Sequence, residues 1–365
     1  MNKSIDTLSE STEWPLRGET HGQVSPLWLL TRQPRLNELV AYLTDMRKVI
    51  DVDPDGGHVL SFSRARLGMA RTEFAQMIRQ GEARLHLFCK LLASCLFAKF
   101  EMQSVVIGEV PNTRKRFQYS QGIDPATLFS ETDLALGTRL LDLLRCQSSE
   151  GWETPRLVAN FVEYQPLLEN DYAIHKMISR VKAEEEIWNK VCDEIFRLDE
   201  LIQKDKQFRT LSPFIKDVFG VKVVVGTPDD ARYLQAALEM SALKPHGGTD
   251  ANMSETVWLR VLESKDYLGD SGKKRTGWEA IKSVVNWSGG VFELQIQPLA
   301  NYFLERERLT SESHVAFKQN RENIRNGVIS HYPLIGFYRD LLRWLFLEAK
   351  SCSPSFRSVQ VVVND

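Results

Sequence analysis

The sequence predicts an α/β (α+β) protein in which a mixed β-sheet is flanked by helices and preceded by a mainly helical amino-terminal part. Three observations predict it. Segments of period two alternate with segments of period 3.6 through the second half of the chain. The first 150 residues instead carry apolar side chains mostly at three- and four-residue intervals. With 365 residues, 43% of them hydrophobic, the chain can bury two modest cores.

The elements follow in order. Residues 36–50, 73–101 and 130–146 have helical apolar spacing. Between the first two lies Asp51-Val52-Asp53-Pro54-Asp55-Gly56-Gly57, which has the opening of a calcium loop, but its twelfth position is Phe62 rather than a bidentate glutamate. It reads as a turn whose aspartates cap backbone amides. Arg114-Lys115-Arg116 reads as a solvated loop. Residues 147–153, with paired serines and a glycine, are the linker candidate, which gives domains at 1–150 and 151–330 and a carboxy-terminal helix and tail at 331–365. Beyond it the reading is a helix over 155–170, a strand over 174–181 and a helix over 183–198. A strand over 221–225, a helix over 228–240 and a strand over 256–262 come next. Gly289-Gly290 turns a hairpin whose first arm holds Ile281, Val284 and Val285. In its second arm Phe292, Leu294 and Ile296 face a core, and Glu293, Gln295 and Gln297 face an open surface. Residues 333–349 are expected to form an apolar-faced helix that packs on the 151–330 domain.

Charge and cysteine usage exclude several classes. Lys and Arg number 46 against 48 acidic residues, so no global field demands nucleic acid or a membrane. The 5 cysteines are scattered and never spaced two apart, which supports neither a disulfide framework nor a zinc site. The polar, acidic start is no signal peptide, and the longest apolar run, 85–100, contains Lys90 and Lys99 and is too short to cross a bilayer. A cytoplasmic location with no membrane partner is expected. The loop Gly269-Asp270-Ser271-Gly272-Lys273-Lys274 is no P-loop, because its glycines are too close and no Ser or Thr follows the lysine.

The chemistry-bearing residues concentrate between Lys265 and Lys318. A phosphoryl group in transfer carries charge on several oxygens, so cations must surround it and a divalent ion must bridge it. Arg180, Lys182 and Lys190 supply positive charge, and Asp217 with Glu293 supplies hard oxygen ligands suited to magnesium. Lys265-Asp266-Tyr267, then Lys273-Lys274-Arg275-Thr276-Gly277-Trp278, then Glu293-Leu294-Gln295-Ile296 and finally His314 stand in one block.

In order and spacing this block resembles the synthetase domain of the RelA/SpoT family of alarmone synthetases. Arg180-Val181-Lys182, Ile187, Lys190 and the stretch from Phe214 to Val223 extend the likeness, which spans residues 156–325. The resemblance implies a nucleotidyltransferase-like fold and a set of roles. Magnesium would sit on Asp217 and Glu293, and Glu293 would take the proton from a ribose 3′-hydroxyl that attacks the β-phosphate of ATP. Lys182 and Lys190 would hold donor phosphates, and Arg180 and Lys222 would hold the donor base. Lys273, Lys274 and Arg275 would meet the acceptor's 5′-phosphates, and Trp278 would stack on its base. Lys282, Gln295 and His314 would complete the acceptor side.

The implied partners are ATP and a purine nucleotide such as GTP or GDP. Relatives that pyrophosphorylate the 3′ end of tRNA give a second reading, and an inactive nucleotide sensor a third. The amino-terminal part would serve a homo-oligomer or a regulatory partner. Lys222 stands for the family's arginine, Glu186 for its serine, Lys282 for its histidine, Gln297-Pro298 for arginine-threonine and Trp278 for tyrosine. No histidine is followed by aspartate, so the hydrolase motif of the bifunctional relatives is absent.

Overall fold

A computed structural model describes residues 33–110, 113, 115–148, 151–181, 184–196, 218–240, 259–269, 279–288, 290–310, 329–330, 332–347 and 353–365. The chain opens with α1 (Pro34–Val52), β1 (His58–Ser63) and the long α2 (Arg64–Leu96). Strands β2 (Phe100–Glu109) and β3 (Arg116–Gly122) follow, then the short α3 (Pro125–Ser130) and α4 (Asp133–Asp142). A small hairpin, β4 (Cys146–Ser148) with β5 (Gly151–Glu153), leads to β6 (Arg156–Pro166) and β7 (Ile174–Val181). Then come α5 (Glu184–Ile195), β8 (Phe219–Val225), α6 (Pro228–Glu239), β9 (Arg260–Asp266), β10 (Ile281–Trp287) and β11 (Gly290–Pro298). The chain finishes with α7 (Leu299–Thr310), α8 (Pro333–Phe346) and β12 (Val359–Asn364).

One 8-stranded sheet organises the molecule, in the order β3-β2-β6-β7-β8-β11-β10-β9. Its pairs are antiparallel except β8 with β11, so the sheet is mixed as expected. The predicted hairpin is β10–β11, with Trp287 opposite Gly290 and Ser288 taking a positive φ of 46° in the turn.

Two expectations are corrected here. Residues 155–170 are not a helix, because Val158, Phe161, Val162 and Tyr164 are β-branched or aromatic and β6 is an interior strand between β2 and β7. The amino-terminal region, expected as a separate and mainly helical domain, contributes β2 and β3 to the same sheet, and β2 hydrogen-bonds to β6 across the supposed linker. Residues 147–153 mostly form the β4–β5 hairpin, so a boundary near 150 does not divide the sheet.

The sheet has an apolar and a polar face, because directly paired residues project to the same side. Val162, Met177, Val221, Val223, Leu294 and Ile296 line the apolar face and are buried beneath α2 and α6. Helix α2 starts where Ser63 accepts from the Arg66 amide and presents Leu67, Phe74, Leu85, Phe88 and Leu92 at helical spacing. Phe88 stacks on Phe292 of β11 with ring centroids 4.8 Å apart. Close approach of α2 to β8 is set by Gly81, where an added Cβ would lie 2.1 Å from the Phe219 ring. Helix α6 is fixed by a capping box between Thr227 and Asp230.

Helix α8 packs against α1, α2 and α5. Trp188 and Phe346 stack at 3.7 Å, the Tyr338 hydroxyl donates to the Leu43 carbonyl at 3.0 Å, and Arg71 donates to the Leu345 carbonyl at 2.6 Å. This helix thus packs on α1 and α2 of the amino-terminal part as well as on α5. Strand β12 pairs in parallel with β1. The aspartate-rich turn uses its side chains differently from the expectation: Asp51 pairs with Arg47 at 2.9 Å and Asp55 with Arg357 at 3.1 Å. Among the described residues no helix is long and apolar enough to cross a membrane.

Candidate functional site

The polar face of the sheet is built from four adjacent strands. On β7, β8, β11 and β10 one transverse row runs Arg180, Gly220, Glu293, Val284, and the next runs Ile178, Lys222, Gln295, Lys282. Lys265 of β9 continues the second row opposite Lys282. Five predicted site residues, Arg180, Lys222, Lys282, Glu293 and Gln295, thus share one surface. Asp217, Lys182, Lys273, Lys274, Arg275, Trp278 and His314 lie outside the described residues, as does the side chain of Lys190.

Glu293 is the centre of this surface. The period-two pattern puts it opposite the apolar set, but its surface is not open: Glu293 is 3% exposed and Gln297 is fully buried. The reason is that α7 turns back over the strand it follows, laying Tyr302 and Leu299 against Ile178 and Val224. Val284, expected in the core of the other face, stands opposite Glu293 instead. The Glu293 carboxylate forms an ion pair with the Lys282 ammonium and accepts a hydrogen bond from the Gln295 amide.

A second polar group flanks it. Lys222 contacts both carboxylate oxygens of Glu305 at 2.9 Å, and Gln297 donates to the same carboxylate at 2.9 Å. Burial pushes the Glu305 carboxyl up, but the charge and hydrogen bond of Lys222, the bond from Gln297 and the charge of Arg180 outweigh it and hold the group below its usual range. Lys222 was expected to face ATP, and here it is engaged by an acid from α7. The sequence pattern did not single out Glu305, because nothing in its helix marks that α7 folds onto the strand. Gln297 was detectable by alternation, two residues beyond Gln295.

Gly220 separates Arg180 from Glu293 in the ladder. A Cβ there would make only ordinary contacts, at 3.5 Å and 3.9 Å to Glu293, so the glycine leaves lateral room between the guanidinium strand and the carboxylate. Arg180 is exposed at the end of β7. Farther along the same face Lys176 pairs with Glu163 at 2.8 Å, and Lys265 pairs with Glu263 at 2.7 Å.

As to a divalent ion, Glu293 offers hard oxygen donors, and the Lys282 ammonium marks the place against them as one where a cation is stable. The donor set fits magnesium in kind.

No protein-family model matches the chain, and no curated protein does. Two of the solved structures similar to it are small alarmone synthetases. The small alarmone synthetase 1 from Bacillus subtilis shares 14% identity over 45% of this chain and 76% of that chain, with a TM-score of 0.23. The same enzyme bound to its product pppGpp gives 15% identity over the same shares and a TM-score of 0.25. The protein smu.1046c from Streptococcus mutans UA159 shares 18% identity over 44% of this chain and 83% of that chain, with a TM-score of 0.21.

Proposed function

We propose that the chain is an ATP-dependent pyrophosphotransferase that acts on the 3′-hydroxyl of a nucleotide, of the guanosine alarmone synthesis type. The reading is supported by the ordered motifs from Arg180 to His314, and one observation carries it furthest. A buried carboxylate, Glu293, stands on a sheet face beside Lys282, with only Gly220 between it and the exposed Arg180.

The acceptor's 3′-oxygen would bond to the β-phosphorus of ATP as the bond from that phosphorus to the α–β bridging oxygen breaks. The products are AMP and a 3′-pyrophosphorylated acceptor. Glu293 receives the hydroxyl proton, and Gln295, bonded to it, fixes the orientation of its carboxylate. Arg180 lies on the donor side, where a planar guanidinium suits both phosphate and an adenine face. Lys182 and Lys190 are assigned to the donor phosphates. Lys273, Lys274, Arg275, Trp278 and His314 are assigned to the acceptor. Magnesium, held by Asp217 and Glu293, would supply charge neutralisation of the phosphoryl oxygens.

Lys222 is assigned to the donor side, and it would meet the donor from within its ion pair with Glu305. Lys282 is assigned to the acceptor side, and in the structure it pairs with Glu293.

The test is an acceptor screen on the purified full chain with magnesium, γ-labelled ATP and GTP, GDP, adenosine nucleotides and tRNA offered separately. Label on a free nucleotide, with matching AMP release, is the expected result. Label on tRNA alone would move the acceptor to RNA, and no transfer to any acceptor would remove the proposal.

A further inference from the structure

The buried layer between α2 and α4 holds a second group of ionisable side chains, on the opposite side of the sheet from Glu293. Glu82 and His86 lie one helical turn apart on α2, and Asp133 is the first residue of α4. Their exposures are 5%, 1% and 5%. The His86 Nε2 lies 2.9 Å from Asp133 Oδ1 and 3.8 Å from Glu82 Oε1, and one donor atom from each residue falls within 4.8 Å of the others. Glu82 Oε1 also accepts from the Asp133 amide at 2.5 Å.

Two features make this more than an ion-pair network. Internal pairing leaves Asp133 Oδ2 buried and, among the described residues, without a hydrogen-bond partner. Such an orphan is costly in a protein interior. The charges also fail to balance: two carboxylates and an imidazolium leave one buried negative charge, whereas two carboxylates, a neutral imidazole and a dication sum to zero. One nitrogen and two carboxylate donors converging at these separations are a donor set for a divalent transition metal, and a ligand helix spacing of i, i+4 is the usual way of aiming two of them at one point.

We propose that Glu82, His86 and Asp133 form a structural site for a divalent transition-metal ion, with zinc as its representative, pinning the amino terminus of α4 to α2. His86 binds through Nε2. Because α2 also carries Phe88 against Phe292 of β11, the ion fixes the helix on which the Glu293 strand rests.

The experiment uses the full chain, stripped with chelator, dialysed and titrated with zinc alone. The expected result is about one equivalent bound and a rise in the thermal midpoint, with both effects lost in His86→Gln and Asp133→Asn. Zinc absorption-edge spectroscopy on the wild-type protein gives a readout independent of how the variants fold, and the expected first shell holds nitrogen and oxygen only. A stripped protein that takes up no zinc and has an unchanged midpoint overturns the proposal. So does a sulfur-containing shell, or zinc uptake by the variants equal to that of the wild type.

Discussion

Lys222 of β8 and Glu305 of α7 meet through two 2.9 Å contacts, joining a strand of the polar sheet face to the helix that covers it. Gln297 adds a third bond to the same carboxylate. The group is partly exposed, so its strength is that of a screened but well-hydrogen-bonded pair.

Glu305→Gln should therefore destabilise the fold by about 1–2 kcal/mol at neutral pH. The pH dependence follows from the sign of the shift. The folded carboxyl is held below its unfolded value, so its contribution is complete above the unfolded value of about 4.3 and is lost as pH falls through the lower, folded one. Urea melts of both proteins should differ at pH 7 and converge in acid. A difference that does not shrink as the pH falls below the unfolded carboxyl range would rule this account out.

Glu293→Gln should abolish label transfer while the unfolding free energy from urea melts stays within about 1 kcal/mol of wild type, since the amide keeps the shape and the bond to Gln295 can re-form. Near-full turnover in this variant would remove the proton-acceptor role.

Removing only the cation partner leaves a carboxylate uncompensated in a buried place. Lys282→Met is expected to cost about 2–3 kcal/mol, short of a fully interior pair because the lysine is 19% exposed, and Lys282→Met with Glu293→Gln should recover most of it. A double-mutant cycle by chemical denaturation measures the coupling, and additivity of the two changes would contradict the pairing.

Arg180→Ala should raise the KM for ATP by roughly 10- to 100-fold, the loss of one charge-assisted contact, with little change in stability because the side chain is exposed. Unchanged ATP saturation would place the donor elsewhere.

Gly81→Ala inverts the ordinary rule that alanine improves a helix interior by about 1 kcal/mol. The methyl would lie 2.1 Å from the buried Phe219 ring, so a loss of about 1–3 kcal/mol is expected by thermal or urea denaturation.

The sequence made some of this architecture readable and hid the rest for physical reasons. The β10–β11 hairpin was readable because Phe292, Leu294 and Ile296 alternate with polar residues beside a glycine pair. Helix α6 was readable from its apolar spacing, and α8 from its apolar stripe. Strand β6 was misread because Val158, Phe161, Val162 and Tyr164 suit either period over so short a run. Strands β2 and β3 were absorbed into helical readings or passed over, since their partners are set by pairing at long range. The shared surface of Arg180, Lys222 and Glu293 followed from the motif order, whereas its cover by Tyr302 and Glu305 depends on the path of α7.

The parallel ladder between β1 and β12 joins His58 to Val359 and Ser63 to Asn364, some 300 residues apart in the chain. A nascent polypeptide emerging from the ribosome would hold β1 as an unsatisfied edge, beside helices still lacking α8, while the intervening residues are made. Closure of this layer then waits for β12. A chaperone or a like strand from another copy would have the longest opportunity to bind at that edge.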